Sequence, residues 1–170
     1  KLGDTAMRII RLSQPFVDRI RKDPPVIQGY IEGLKKTDFN TVWTSLLHLV
    51  NIGPWAIPYL VNNDVLGNEK EDDFRTNAIL CLKQMNEDAV WPLVEALESK
   101  NAFLRQNAAI VLGHINDERG IAALKRAVEN PNEAPEVKFR AAESVLKITG
   151  AAQVDDLKTA REYYYLLAER

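Results

Sequence analysis

Residues 104–113 (LRQNAAIVLG) contain the pattern that decides the fold. An apolar residue is followed by a basic residue, two spacers and a pair of small or apolar residues. The same order occurs in two other stretches, so that the basic residues Arg75, Arg105 and Lys138 recur at intervals of roughly 30 residues. A weaker copy begins near Val42, one further interval before Arg75. A period of this length predicts a protein built from stacked repeats.

Each repeat has the pattern of a helical hairpin. The positions three, four, seven and ten after the basic residue are apolar and share one face of a helix. The positions sixteen and nineteen belong to a second helix, which follows a turn such as 116–118. The first apolar residues of the second helices are assigned as Ile57, Trp91, Ile121 and Val154. We expect Trp91 and Ile121 to fill the space between the helix layers.

The repeats predict an all-α fold, an α-solenoid of stacked helical hairpins. A two-helix unit of about 30 residues cannot bury both of its apolar faces alone, so neighbouring hairpins must share a core. We expect one domain over residues 1–170. Its parts are a degenerate N-terminal repeat at 1–38, repeats at 39–66, 72–99, 102–130 and 135–161, and a C-terminal helix extension at 162–170.

Composition narrows the classes of protein further. The chain of 170 residues carries 22 Lys and Arg against 24 Asp and Glu, a net charge of −2 that argues against nucleic-acid binding. A single cysteine excludes an intramolecular disulfide framework. No apolar run approaches the roughly 18 residues needed to span a bilayer. Because the sequence begins with Lys1, removal of an upstream segment stays open, and the compartment is not determined.

The repeat resembles a known family. Residues 104–113, together with the turn at 116–117 and the apolar run 121–124, resemble the short HEAT-like repeats first associated with phycobilisome lyases. The resemblance is good over residues 74–157 and weak over 42–66. In residues 1–38 only the spacing of the apolar residues matches the repeat. Tetratricopeptide repeats have a similar period, but their aromatic and glycine placements do not recur. The resemblance implies a solenoid whose second helices line a concave surface that binds partners.

The sequence offers little for catalysis. Some HEAT-like proteins are iron-dependent hydroxylases with several His-Glu pairs, whereas His48 and His114 are not followed by an acidic residue. We therefore expect the chain to stand outside that subfamily. Cys81 lies between two leucines and is expected to be a packed thiol. No catalytic residue, cofactor site or metal site is predicted, and the basic residues of the repeat are expected to make contacts between repeats.

The predicted functional site is a strip on the second helices. The positions are counted from the first apolar residue of each second helix, Ile57, Trp91, Ile121 or Val154. The second and fifth positions after it are expected to face outward and to bind a protein or peptide. The predicted binding residues are Tyr59, Asn62, Leu93, Arg126 and Asp156.

Three functions remain open at this point. The leading hypothesis is a noncatalytic scaffold or adaptor that binds another protein through its concave face. The alternative is an accessory subunit of a lyase-type enzyme that attaches bilin chromophores. A nucleic-acid-binding HEAT protein is disfavoured by the charge.

Overall fold

The structure, a computed structural model, describes residues 22–169. All regular secondary structure in that range is helical. The helices are α1 (Pro24–Gly33), α2 (Phe39–Ile52), α3 (Ile57–Leu60), α4 (Asp72–Met85), α5 (Val90–Ala96), α6 (Ala102–Ile115), α7 (Ile121–Glu129), α8 (Pro135–Thr149) and α9 (Ala160–Ala168). The stretch 1–21, which includes most of the predicted N-terminal repeat, and Arg170 lie outside the described residues.

The helices form two layers. In the first layer α2, α4, α6 and α8 pack against one another in chain order. In the second layer α3, α5 and α7 each follow a short 3₁₀ helix, which spans Gly53–Ala56, Asn86–Ala89 and Glu118–Gly120 respectively. Second-layer helices also contact the first-layer helix of the next repeat, as α5 does with α6 and α7 with α8. The predicted all-α solenoid is confirmed.

Local chemistry sets the ends of the first-layer helices. Asp38 caps α2, since its carboxylate accepts the N–H of Thr41 at 2.8 Å. The side chain of Asn101 caps α6 in the same way. The C-cap residues of α6 and α8 are Asn116 and Gly150, which have φ values of 62° and 70°. Asn and Gly adopt this left-handed conformation most easily, so each helix stops where the sequence permits a turn.

Side chains tie neighbouring repeats together. The amide of Asn77 donates to the carbonyl of Leu34 at 3.0 Å, and that of Asn107 donates to Leu66 at 2.9 Å. These two asparagines occupy the same position of consecutive repeats, the second after the repeated basic residue. Leu34 follows α1 and Leu66 follows α3. Each asparagine therefore holds its own helix, α4 or α6, against the end of an earlier repeat, and this contact fixes the spacing of the first layer.

The repeated basic residue also joins repeats. Arg105 on α6 pairs with Glu133 in the loop before α8, with an Nη2 to Oε1 distance of 2.6 Å. A second guanidinium nitrogen donates to the carbonyl of Ser99 at 2.7 Å. At the equivalent position Arg75 donates to the carbonyl of Asn68 at 2.6 Å. The predicted role of Arg105 in contacts between repeats is confirmed.

The register of α5 differs from the prediction by one position. The turn between Met85 and Val90, the first buried residue of α5, is one position shorter than the turn between Ile115 and Ile121. The alignment of the repeats assumed turns of equal length. Trp91, which was expected to fill the space between the layers, is 54% exposed, while Val90 is buried in its place.

The C-terminal region also departs from the pattern. The second helix expected to begin near Val154 begins at Ala160, because Thr159 and Glu162 form a capping box there. The preceding residues form a 3₁₀ turn at Val154–Asp156. The resulting α9 packs on α7 and runs antiparallel to it: the N–H of Ala160 contacts the carboxylate of Glu129 at the end of α7, while Leu167 lies beside its beginning.

Candidate protein-binding surface

The exposed face of α3, α5 and α7 is the one that the repeat architecture predicts to be concave, and it is called the concave surface below. Along α5 and the turn that follows it, the exposed residues are Trp91, Glu95 and Glu98, which keep the spacing i, i+4, i+7 of one helix face. Of the residues between them, Leu93, Ala96 and Leu97 are buried, while Pro92 and Val94 are half-buried. The three exposed residues are called the α5 stripe. It combines a large exposed aromatic side chain with two carboxylates.

The corresponding stripe on α7 is partly covered. Its residues are Ala122, Arg126 and Glu129, and Ala122 is fully buried. The guanidinium of Arg126 pairs with Glu98 of the α5 stripe and lies 5.8 Å from the ring of Tyr164 on α9. The chain's own C-terminal helix therefore occupies this part of the concave surface and leaves α5 open.

A cavity lies between α5, the turn before α7 and the end of α9. Its volume is about 550 Å³, and Trp91, Arg119 and Leu167 contribute to its lining. Three carboxylates also line it, those of Glu87, Asp117 and Glu118. The cavity therefore places an exposed indole ring among more acidic than basic groups.

One pair of charges in the cavity is closely bound. Arg119 donates to both carboxylate oxygens of Asp117, at 2.9 and 2.7 Å. These hydrogen bonds hold the pKa of Asp117 below its usual value and raise that of Arg119. Arg119 also lies 3.9 Å from the carboxylate of Glu87, a longer and weaker contact. The positive charge of Arg119 is therefore directed mainly towards Asp117.

The predicted binding residue Leu93 is buried, which corrects its expected exposure. Its exposed fraction is 0%. The cause is the register of α5, since the position was counted from Trp91 rather than from Val90. A shift of one position turns a helix by about 100°, which exchanges a core position with a surface one.

The remaining predicted residues have different surroundings. Tyr59 is half-buried against the core, and the amide of Asn62 donates to the Tyr59 carbonyl at 2.8 Å. The Asn62 side chain also accepts the N–H of Val65 at 3.0 Å, so it shapes the turn after α3. Arg126 is exposed on α7, and Asp156 is exposed in the 3₁₀ turn rather than on a helix. Whether these four residues bind a partner stays a prediction.

The α5 stripe was missed in the sequence, although a signal for it exists. The interval from Ile57 to Val90 equals the interval from Val42 to Arg75. Counting from Val90 gives Glu95 the position that Asn62 has in the preceding repeat. The correct interval would have placed Trp91 on the surface.

Cys81 is a packed thiol, as predicted, whereas His48 and His114 are exposed. Cys81 is fully buried, and burial raises its pKa to about 12. His48 stacks on Tyr30 with ring centroids 4.5 Å apart. Burial lowers the pKa of His114, and the neighbouring Lys147 lowers it further. Across residues 22–169, no three His, Cys, Asp or Glu side chains are grouped so that they could hold a metal ion.

The fold and this surface are those of a helical repeat protein. A family model described as HEAT repeats matches residues 64–146 and 90–162, and the chain belongs to this family. The chain is also similar to Deoxyhypusine hydroxylase-B of Oryza sativa subsp. japonica, with 36% identity over 92 residues. The alignment covers 53% of this chain and 30% of that protein, so the chain spans less than a third of its relative.

This similarity bears on the expected separation from the hydroxylases. The repeats are related in sequence to a deoxyhypusine hydroxylase, so the expectation that the chain stands outside the hydroxylase subfamily does not hold for the repeat sequence. The groups that would bind iron are a separate point. The 170 residues contain two histidines, and neither belongs to a His-Glu pair. The described residues do not fit an iron site, and we derive no catalytic step through one.

Among residues 22–169, none of the helices combines the length and apolar character required to cross a membrane.

Proposed function

We propose that the protein is a noncatalytic scaffold or adaptor that binds another protein through its concave surface. The observation that supports this proposal most directly is the α5 stripe. Trp91 presents more than half of its surface to solvent on a helix whose opposite face is fully packed. Exposed tryptophans dominate the binding energy of many protein interfaces, because their large ring is desolvated when a partner covers it. Arg126 and Tyr59 border this surface and are included in the proposal.

The proposal is tested by measuring retention of a purified partner on the immobilised protein and on two matched variants. W91D places a charge in the α5 stripe, and W43D does the same on the first layer, where Trp43 is 50% exposed. We expect W91D and R126E to lose the partner and W43D to keep it. Far-UV circular dichroism confirms that each variant is folded. Equal retention by W91D and the unchanged protein would refute the proposal.

The relative supports a second candidate function. Since the repeats share 36% identity over 92 residues with a deoxyhypusine hydroxylase, the alternative is that the chain is part of an enzyme of that kind. The test is incubation with a polypeptide that contains deoxyhypusine, followed by mass spectrometry for the gain of one oxygen atom. Under the scaffold proposal we expect no gain. Turnover by the isolated chain would replace that proposal with the enzymatic one.

The other functions considered stay predictions. An accessory role in a lyase-type enzyme would appear as stimulation of bilin transfer when the protein is added to the lyase. Binding to nucleic acid would appear as a mobility shift that disappears as salt is raised.

A further inference from the structure

We propose that the α5 stripe, with Glu87, binds an extended basic segment of a partner protein, in which one lysine or arginine side chain lies against the ring of Trp91. This inference rests on the proposed function and specifies the chemistry of the partner. It concerns the cavity of about 550 Å³ beside Trp91 and the open surface of α5 that continues from it.

The charges on this surface favour a cationic partner. Glu87, Glu95 and Glu98 are all exposed on or next to α5. Arg126 pairs with Glu98, while Arg119 is held mainly by its two hydrogen bonds to Asp117. Glu87 and Glu95 therefore keep a negative potential on either side of Trp91. Cationic side chains of a bound segment would therefore be attracted on both sides of the ring, one by Glu87 and the next by Glu95.

The indole ring adds a second source of attraction for a cation. The face of an aromatic ring carries partial negative charge, and tryptophan binds ammonium and guanidinium groups most strongly. The protein already makes such a contact elsewhere: the Nζ of Lys22 lies 4.3 Å from the ring of Trp55, in the 3₁₀ turn before α3. Trp91 offers a similarly exposed ring, with Leu167 as an apolar wall for the methylene groups of a lysine.

The spacing along α5 suggests how a segment would lie. Trp91 and Glu95 are one helical turn apart, which is about 6 Å along a helix axis. In an extended peptide, alternate side chains point in the same direction and are separated by about 6.6 Å. A segment with the pattern basic, any residue, basic can therefore place one cation on Trp91 and Glu87 and the next on Glu95.

The test uses short synthetic peptides and the full chain labelled with ¹⁵N. The indole N–H signals of Trp43, Trp55 and Trp91 are assigned with single Trp→Phe variants. The probe is a blocked peptide with two lysines separated by one alanine within an alanine background. Its two controls carry acetyl-lysine or glutamate at the same positions. We expect the lysine peptide to shift the Trp91 signal and to leave the Trp43 signal in place.

Variants measure the contribution of each group. We expect W91A and the double variant E87Q/E95Q each to weaken binding of the lysine peptide about tenfold. W43A, on the opposite layer, is expected to have no effect. Since Trp91, Glu87 and Glu95 are exposed, these variants are expected to fold, and circular dichroism checks this.

Three results would overturn the inference: an unmoved Trp91 signal, equal binding of the acetylated peptide, or equal loss with W43A. Failure of the proposed function is distinguishable from this. A protein partner that is lost with W91D but binds E87Q/E95Q normally would uphold the scaffold function and refute the basic segment. A partner indifferent to W91D would refute the scaffold function itself.

Discussion

The buried ion pair between Arg105 and Glu133 leads to the prediction with the largest expected loss of stability. The side chains of Arg105 and Glu133 are 16% and 6% exposed. Two guanidinium nitrogens contact the carboxylate, at 2.6 to 3.1 Å. The same carboxylate accepts the N–H of Ala134 at 2.8 Å. Replacing Arg105 with methionine keeps the apolar stem but leaves a buried carboxylate without its cation.

The expected cost follows from that burial. Removing one member of a buried ion pair destabilises a protein by about 3–5 kcal/mol, because the remaining charge is left uncompensated. Arg105 retains some contact with water, so we expect R105M to cost about 3 kcal/mol, at the lower end of that range. For a chain of this size that corresponds to a fall in Tm of roughly 6–12 °C.

The double variant R105M/E133M separates the ion pair from the packing. Removing both charges abolishes the penalty of an unpaired carboxylate, so the double variant should be more stable than R105M by about 2 kcal/mol. The control is R140M, since Arg140 and Glu143 form a half-exposed pair at 2.8 Å on α8. We expect R140M to cost less than about 1 kcal/mol.

The assay is urea unfolding followed by far-UV circular dichroism and by tryptophan fluorescence. Coincidence of the two signals supports the use of a single free energy of unfolding. If R105M were no more costly than R140M, the pair would not hold the repeats together. If the double variant cost the sum of its two single variants, the reasoning about an uncompensated charge would be wrong.

Two further predictions concern packing and pH. A Cβ at Gly113 would clash with the Oγ and the Cβ of Ser144, so G113A should lower the free energy of unfolding by about 1–3 kcal/mol. A Cβ at Gly29 would meet no neighbouring element within 4 Å, so G29A should raise the free energy of unfolding by about 0.5–1 kcal/mol in the same urea assay. The pKa of His114 is lowered by burial and by Lys147, so its imidazole should titrate below 6.5 in an NMR titration, and K147A should move the midpoint upward. The folded protein binds fewer protons there than the unfolded chain, so the stability from neutral His114 is present above 6.5 and is lost as the pH falls towards the folded pKa. An unchanged midpoint in K147A, or an equal loss of stability in G29A and G113A, would contradict these expectations.

The sequence determined the first layer well because its signals are local. The spacing of Arg75 and Arg105 marks equivalent helices, and Ala78 and Ala108, at the third position after each, are both fully buried. These positions need only the helical period and a small side chain to allow close packing. The role of Arg105 in joining repeats followed from the same regularity.

The second layer was decided by the tertiary structure, because the sequence contains two intervals between repeats and α5 could follow either of them. A turn shorter by one position rotates α5 by about 100°, which buries Leu93 and exposes Trp91. No local preference of either residue reveals that rotation, since both are apolar and either could face a core. The placement of α9 is similar: a capping box at Thr159 predicts where a helix begins, but its antiparallel course depends on distant contacts such as that of Glu129 with Ala160. The sequence thus determined the repeat, whereas packing between repeats decided which side chains a partner can reach.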